Sequence, residues 1–227
     1  MKKFGFTLAE VLITLGIIGV VASLTAPALT KNTGSAKIGP ALAKFVNTFE
    51  TATEQMMHDE GVSRLDDYLA ASVNTTGGSD TEHLLEKLSE YMVMVPYSST
   101  YKISGPAANG AATADISDQK WLLKDGTLVG YYSAASIGSY SKTDSYIGPT
   151  TGAIIFDING PKGKNKAGKE VFAFVVDKSG TLIPYGSSVQ KYLTNKQATC
   201  SQTSTKVLEG LGCTGKIADN NWKYEEK

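Results

Sequence analysis

One carboxylate in this chain sits where a carboxylate is costly. Glu10 opens a stretch that continues from Val11 to Leu29, nineteen residues without a charge. Near the centre of a bilayer an ionised acid costs roughly 2.5–3.5 kcal/mol, so a residue of this kind needs a proton or a cation close by. The other chemistry-bearing residues are sparse. Cys200 and Cys213 are the two cysteines of the chain. An even count in an exported chain favours one disulfide closing the 200–213 loop, worth roughly 3 kcal/mol for about fourteen residues. A zinc site is disfavoured, because His58 and His83 lie far from both cysteines in sequence and there is no Cys-x-x-Cys pair. No Gly-x-Ser-x-Gly elbow, His-Glu-x-x-His pair, Walker loop or dinucleotide fingerprint is present, so the sequence reads as a non-enzyme.

The elements that must carry these residues follow from pattern. Lys2 and Lys3 precede the apolar run and place the N-terminus on the cytoplasmic side by the positive-inside rule. From Phe6 to Leu29 a helix would extend about 36 Å, more than a hydrocarbon core needs. Gly16 and Gly19 lie within it, and Gly19 with Ser23 gives a small-xxx-small spacing that favours close helix approach in lipid. Pro27 removes a backbone donor and allows a bend. Residues 31–39 are polar and Gly-containing, an expected interruption, with Pro40 starting the next segment. Leu42, Phe45, Val46, Phe49, Ala52 and Met56 recur at helical spacing over residues 40–60, and that stripe reads as core. Two short helices are expected next, over Ser63 to Ala71 and after Ser79-Asp80-Thr81-Glu82, which has the form of a capping box.

Strand patterns take over in the region from about 92 to 190. Lys120-Trp121-Leu122-Leu123 and Leu128-Val129-Gly130-Tyr131-Tyr132 flank an Asp125-Gly126 turn, a strong hairpin signal. Ala153 to Ile158 and Val171 to Asp177 are further strands, and Lys178-Ser179-Gly180 turns into Thr181-Leu182-Ile183-Pro184. Residues 98–118 and 133–150 are rich in Ser, Thr, Gly and Ala and read as surface loops. The expected fold is α+β: a long N-terminal helix packed on a C-terminal antiparallel sheet, with no second domain boundary. Lysine plus arginine balance aspartate plus glutamate at 22 each, so no net field favours nucleic acid or an acidic partner.

Gly5-Phe6-Thr7-Leu8-Ala9-Glu10-Val11-Leu12-Ile13 resembles the cleavage and methylation motif of type IV pilins and type II secretion pseudopilins. The resemblance is specific over residues 1–30 and weaker beyond. It implies a leader over 1–5, a transmembrane and filament-core helix over 6–29, and an extracytoplasmic pilin-like domain over 30–227. It implies that a membrane prepilin peptidase cuts between Gly5 and Phe6 and methylates the Phe6 amine. It implies that Glu10 and Pro27 are the acid and the kink of the family helix. The new ammonium would lie at the depth of Glu10, and a neighbouring subunit can supply it. The implied partners are like subunits or other pilins, an inner-membrane assembly platform and its ATPase. The implied place is the cytoplasmic membrane, then a periplasmic or surface filament. The competing readings are a type II secretion pseudopilin and a membrane-anchored binding domain that never polymerises.

One loop offers metal chemistry. Asp157, Asn159 and Asn165 lie in a Gly-rich stretch whose oxygens suit Ca²⁺. The resemblance points the same way, because similar loops recur in pilin-like proteins and major pseudopilins often hold calcium in their C-terminal β region. Lys162, Lys164, Lys166 and Lys169 repel a cation, however, so an Asx-stabilised turn is the favoured reading. The same lysines could meet DNA phosphates, but the neutral chain and the lack of interleaved aromatics argue against it.

Overall fold

Leu8 to Asp59 forms one continuous helix, α1, in the computed structural model. The structure describes residues 7–69, 80–105, 113–116, 120–133, 150–188, 200–205 and 207–225. The side chains of 22–35, 80–83, 113–116, 132–133, 150–151 and 208 lie outside that description. The loop expected over 133–150 and the Ser79 cap fall largely on undescribed residues.

The interruption expected over 31–39 is absent, because the helix runs through Pro27, the polar stretch and Pro40. Gly39 is there for a different reason. A Cβ at Gly39 would collide with the Trp222 carbonyl, so the glycine permits close packing and does not break the helix. Among the described residues, no helix is long and apolar enough to cross a membrane. The described apolar side chains run only from Leu8 to Val21, and the remainder of the expected 6–29 span lies outside them.

The second half of α1 buries the stripe anticipated from its spacing. Leu42, Phe45, Phe49, Ala52 and Met56 are buried, and Val46 is half-buried. Against them packs a six-stranded antiparallel sheet, in the order β1-β4-β5-β6-β7-β8. Its strands are β1 (Met94–Pro96), β4 (Lys120–Leu123), β5 (Leu128–Ser133), β6 (Thr150–Asp157), β7 (Val171–Asp177) and β8 (Leu182–Pro184). Alternation sends Phe156, Phe172, Phe174 and Val176 to the helix side. The Phe45 ring lies 4.4 Å from Phe156 and 5.8 Å from Phe174, centroid to centroid. Fully burying one such side chain stabilises by about 1.5–3 kcal/mol. Residues 65–69 form a helical segment, and α2 (Asp80–Leu88) adds the buried Leu84, Leu85 and Leu88 to the same core.

The turn chemistry follows the sequence. Gly126 takes φ +88° between β4 and β5, where the Asp125 side chain accepts the Thr127 N–H at 3.1 Å. At the β7–β8 turn the Asp177 carboxylate accepts the N–H groups of Ser179 and Thr181, both at 2.9 Å.

The other face of the sheet corrects one expectation. Residues 98–118 are not simply a surface loop. They contain β2 (Tyr101–Ser104) and β3 (Thr113–Ile116), a separate two-stranded antiparallel pair. Tyr101 and Ile103 are buried in a second core with Leu128, Ile155, Val171 and Ala173. A two-residue apolar alternation is too short a signal to stand out in a Ser/Gly-rich stretch. This core is closed by α3 (Val207–Leu211), through Leu211. Behind it α4 (Cys213–Asp219) donates from Gly215 N–H to the Tyr185 carbonyl at 2.8 Å.

Candidate assembly site

The first described turn of α1 holds Glu10 in a reciprocal cap. Thr7 is the N-cap, with extended φ −78° and ψ 150°. Its N–H and its hydroxyl both donate to Glu10 Oε2, each at 2.8 Å, while its Oγ1 accepts the Glu10 N–H at 3.3 Å. Thr7-Leu8-Ala9-Glu10 is therefore a capping box, two orphan donors of the helix end satisfied together. Both of these bonds to the carboxylate fall on Oε2. Thr14 Oγ1 donates to the carbonyls of Glu10 and Val11, both at 2.9 Å, which hides a hydroxyl within an apolar stretch.

Around this cap every described apolar side chain is uncovered. Leu8 is 79% exposed, and Leu12, Ile13, Leu15, Ile17, Ile18, Val20 and Val21 are exposed on all sides of the helix. A helix apolar all round must be covered, by protein or by lipid. At Gly16 and Gly19 an added Cβ would meet nothing within 4 Å, so the surface there is low and open to another helix. Pro27 is helical in its backbone, and Gly5 and Phe6 lie outside the described residues. Thr7 was not singled out from the sequence, although the Thr-x-x-Glu spacing ahead of an apolar run was the available signal.

The loop weighed for metal binding is built otherwise. Asp157 is fully buried at the end of β6. Its Oδ2 accepts the Tyr101 hydroxyl at 2.6 Å and its Oδ1 accepts the Asn159 N–H at 3.0 Å, an Asx turn. Burial pushes its carboxyl up to about 6, against the opposing pull of these hydrogen bonds. Asn165 adopts φ 50° and donates from Nδ2 to the Lys102 carbonyl at 3.1 Å. Its buried Oδ1 accepts no bond among the described residues. Asp157 thus fastens the β2–β3 pair to the main sheet, and Asn165 fastens the loop to β2. Among the described residues no group of three His, Cys, Asp or Glu side chains is placed to hold a metal ion. His58 is exposed beside Asp59, 3.2 Å away.

Cys200 and Cys213 are bridged, with Cα atoms 4.2 Å apart. The bond ties residues 200–205 to the start of α4, and Thr214 Oγ1 in α4 accepts the Ala173 N–H of β7 at 3.0 Å. The C-terminal segment is therefore anchored to the sheet. A cleft of about 240 Å³ opens beside the disulfide, with Gln202, Lys216 and Tyr224 in its wall.

Residues 1–26 match the family described as the prokaryotic N-terminal methylation motif. No curated protein and no solved structure matches the chain.

Proposed function

We propose that the chain is a prepilin, the precursor of a structural subunit of a type IV pilus or a related filament. It inserts in the cytoplasmic membrane through its N-terminal helix. A prepilin peptidase trims it between Gly5 and Phe6, and it assembles through that helix. The observation that carries this reading is Glu10, the one acid in the uncovered apolar stretch from Leu8 to Val21, inside a segment that matches the methylation motif.

The chemistry runs as follows. Before cleavage the capping box gives Glu10 local partners, Thr7 N–H and Thr7 Oγ1. Removal of residues 1–5 leaves a cationic amine on Phe6. Paired with Glu10 of a neighbouring copy, that amine neutralises the acid at low dielectric and fixes the axial offset between copies. The apolar flanks of α1 cover one another in the filament core. Contacts of this head-to-tail kind do not close, so they propagate. An ATPase and assembly platform on other chains supply the work. The sheet domain lies outside the membrane, where the Cys200–Cys213 bridge is chemically stable.

Mass spectrometry of the mature N-terminus tests the processing step, and N-methylated Phe6 is the expected result. Glu10→Ala tests assembly: filaments are lost while membrane insertion and domain folding persist. Recovery of the native protein with Met1 attached, or a Glu10→Ala chain that still polymerises, overturns the proposal. Surface filaments on expressing cells support a pilus. Loss of exoprotein secretion on deletion would instead assign the chain to a type II secretion pseudopilus.

A further inference from the structure

The segment that follows α4 is seated where the packed part of α1 begins. Among the described side chains of α1, Ile38 is the first that is buried, and Gly39 follows it. A Cβ on Gly39 would collide with the Trp222 carbonyl, so the backbone at Trp222 lies directly against the helix backbone. Trp222 and Tyr224 are half-buried against the main core, and Tyr224 Oη donates to the Gly168 carbonyl at 3.5 Å. Residues 220–225 thus form a strap over α1 at Gly39.

The strap is held in a conformation that its residues do not all favour. Asn221 has φ 52° and Trp222 has φ 59°. Asparagine enters this left-handed region readily, whereas a bulky tryptophan stays there only where its surroundings compel it. Asn220 Nδ2 donates to the Lys223 carbonyl and to Glu225 Oε1, both at 3.4 Å. Gln202 Nε2 donates to Tyr224 Oη at 3.4 Å and to the Glu225 carbonyl at 3.1 Å. Gln202 follows closely on Cys200, and the Cys200–Cys213 bridge ties its segment to the start of α4, from which the strap continues. Bridge and strap share the cleft described above: Cys200 and Cys213 line it together with Asn220, Lys223, Tyr224 and Glu225. The cleft gives a small thiol a route to the bridge.

We propose that residues 220–225 are a redox-controlled latch on α1. With Cys200–Cys213 closed, Gln202 keeps the strap shut on Gly39. With the bridge reduced, the strap lifts and the start of the packed helix loosens. A dithiol opens the latch by two exchanges. Its first thiolate attacks one cysteine sulfur, forming a mixed disulfide and releasing the other cysteine as a thiolate, which takes a proton. Its second sulfur then closes the reductant's own disulfide and releases the remaining cysteine. Two electrons pass to the chain and the dithiol is oxidised. The 200–205 segment keeps the bond from Ser201 N–H to the Glu209 carbonyl but loses its covalent tie. Gln202 then no longer fixes Tyr224 and Glu225, and Trp222 relaxes out of the left-handed region. The latch belongs to the single chain and does not rest on the filament reading.

Hydrogen exchange on the full chain in detergent, with and without dithiothreitol, tests the latch. It is read at times when the amides of β6 and β7 remain protected in both states. Reduction is expected to speed exchange about tenfold over residues 220–225 and 38–42. Gln202→Ala, with the bridge closed, should speed exchange over 220–225 about threefold. Gly39→Ala should lift the strap with the bridge closed, so reducing that variant should add less than about twofold. Equal rates over 38–42 and 220–225 in the oxidised and reduced wild type overturn the inference. Acceleration there only in step with β6 and β7 also overturns it, because the bridge would then stabilise the whole domain and control no separate strap. So does the full acceleration on reducing Gly39→Ala. If either variant fails to fold, the wild-type comparison alone decides.

Discussion

Replacing Asp157 by Asn should change how stability depends on pH. Asp157 is fully buried, and its carboxyl titrates near 6 in place of the usual 3.8. An acid whose folded pKa is raised binds its proton more tightly when folded. Stability is therefore fully present below about pH 4, where both states are protonated, and declines as pH rises through 6. A shift of about two units corresponds to about 3 kcal/mol lost across that window. Asn can take the place of the protonated acid. Its amide oxygen can still accept the Asn159 N–H, and its amide nitrogen can donate to Tyr101 Oη after the hydroxyl turns. The assay is urea unfolding of the full chain in detergent at pH 4.5, 6 and 7.5, followed by tryptophan fluorescence. The free-energy difference between Asp157→Asn and wild type should move by about 2–3 kcal/mol in favour of the variant from the lowest pH to the highest. Asp66 does not confuse this reading. Its hydrogen bond from Arg64 holds its pKa at about 2, so what it contributes is present above about pH 4 and fades as pH falls further. Parallel pH profiles for the two chains would refute the reasoning, because they would mean that Asp157 does not resist ionisation in the fold.

Cys200→Ser/Cys213→Ala removes the bridge and should lower stability by about 3 kcal/mol, read from the urea midpoint under oxidising conditions. Phe45→Ala empties the contact with Phe156 and Phe174 and should cost about 3–5 kcal/mol, with the loss visible as a lower thermal midpoint. Thr7→Val keeps the shape of the N-cap but removes its hydroxyl. Local helix stability should fall by about 1 kcal/mol, measured as faster amide exchange over Leu8 to Val11, with the sheet domain unaffected.

How much was legible beforehand varies by element, and the reasons are physical. β7 was readable residue for residue, because Val171 to Val176 is a continuous apolar run bounded by Glu170 and by Asp177 with its Lys-Ser-Gly turn. The burial of Leu42, Phe45, Phe49, Ala52 and Met56 followed from their spacing alone. The break in α1 was a misreading of Gly and Pro as punctuation. Helix formation is cooperative, so residues flanked by strong helix on both sides stay in it, and the domain that packs from Ile38 onward reinforces this. β2 and the C-terminal helices were missed because their apolar residues are few, and they face a surface formed only once the sheet exists.

Sequence alone determined the chemistry of the N-terminus. An acid in an oily run, a glycine before it and a basic stub ahead are local facts, legible without reference to the rest of the fold. Sequence also determined the pairing of Cys200 with Cys213, since no other thiol competes. Only the tertiary structure decided what Asp157 does. Its neighbours along the chain, Asn159 and the lysines, suggested a turn or a metal loop, but the hydroxyl that fills its Oδ2 comes from Tyr101, fifty-six residues away.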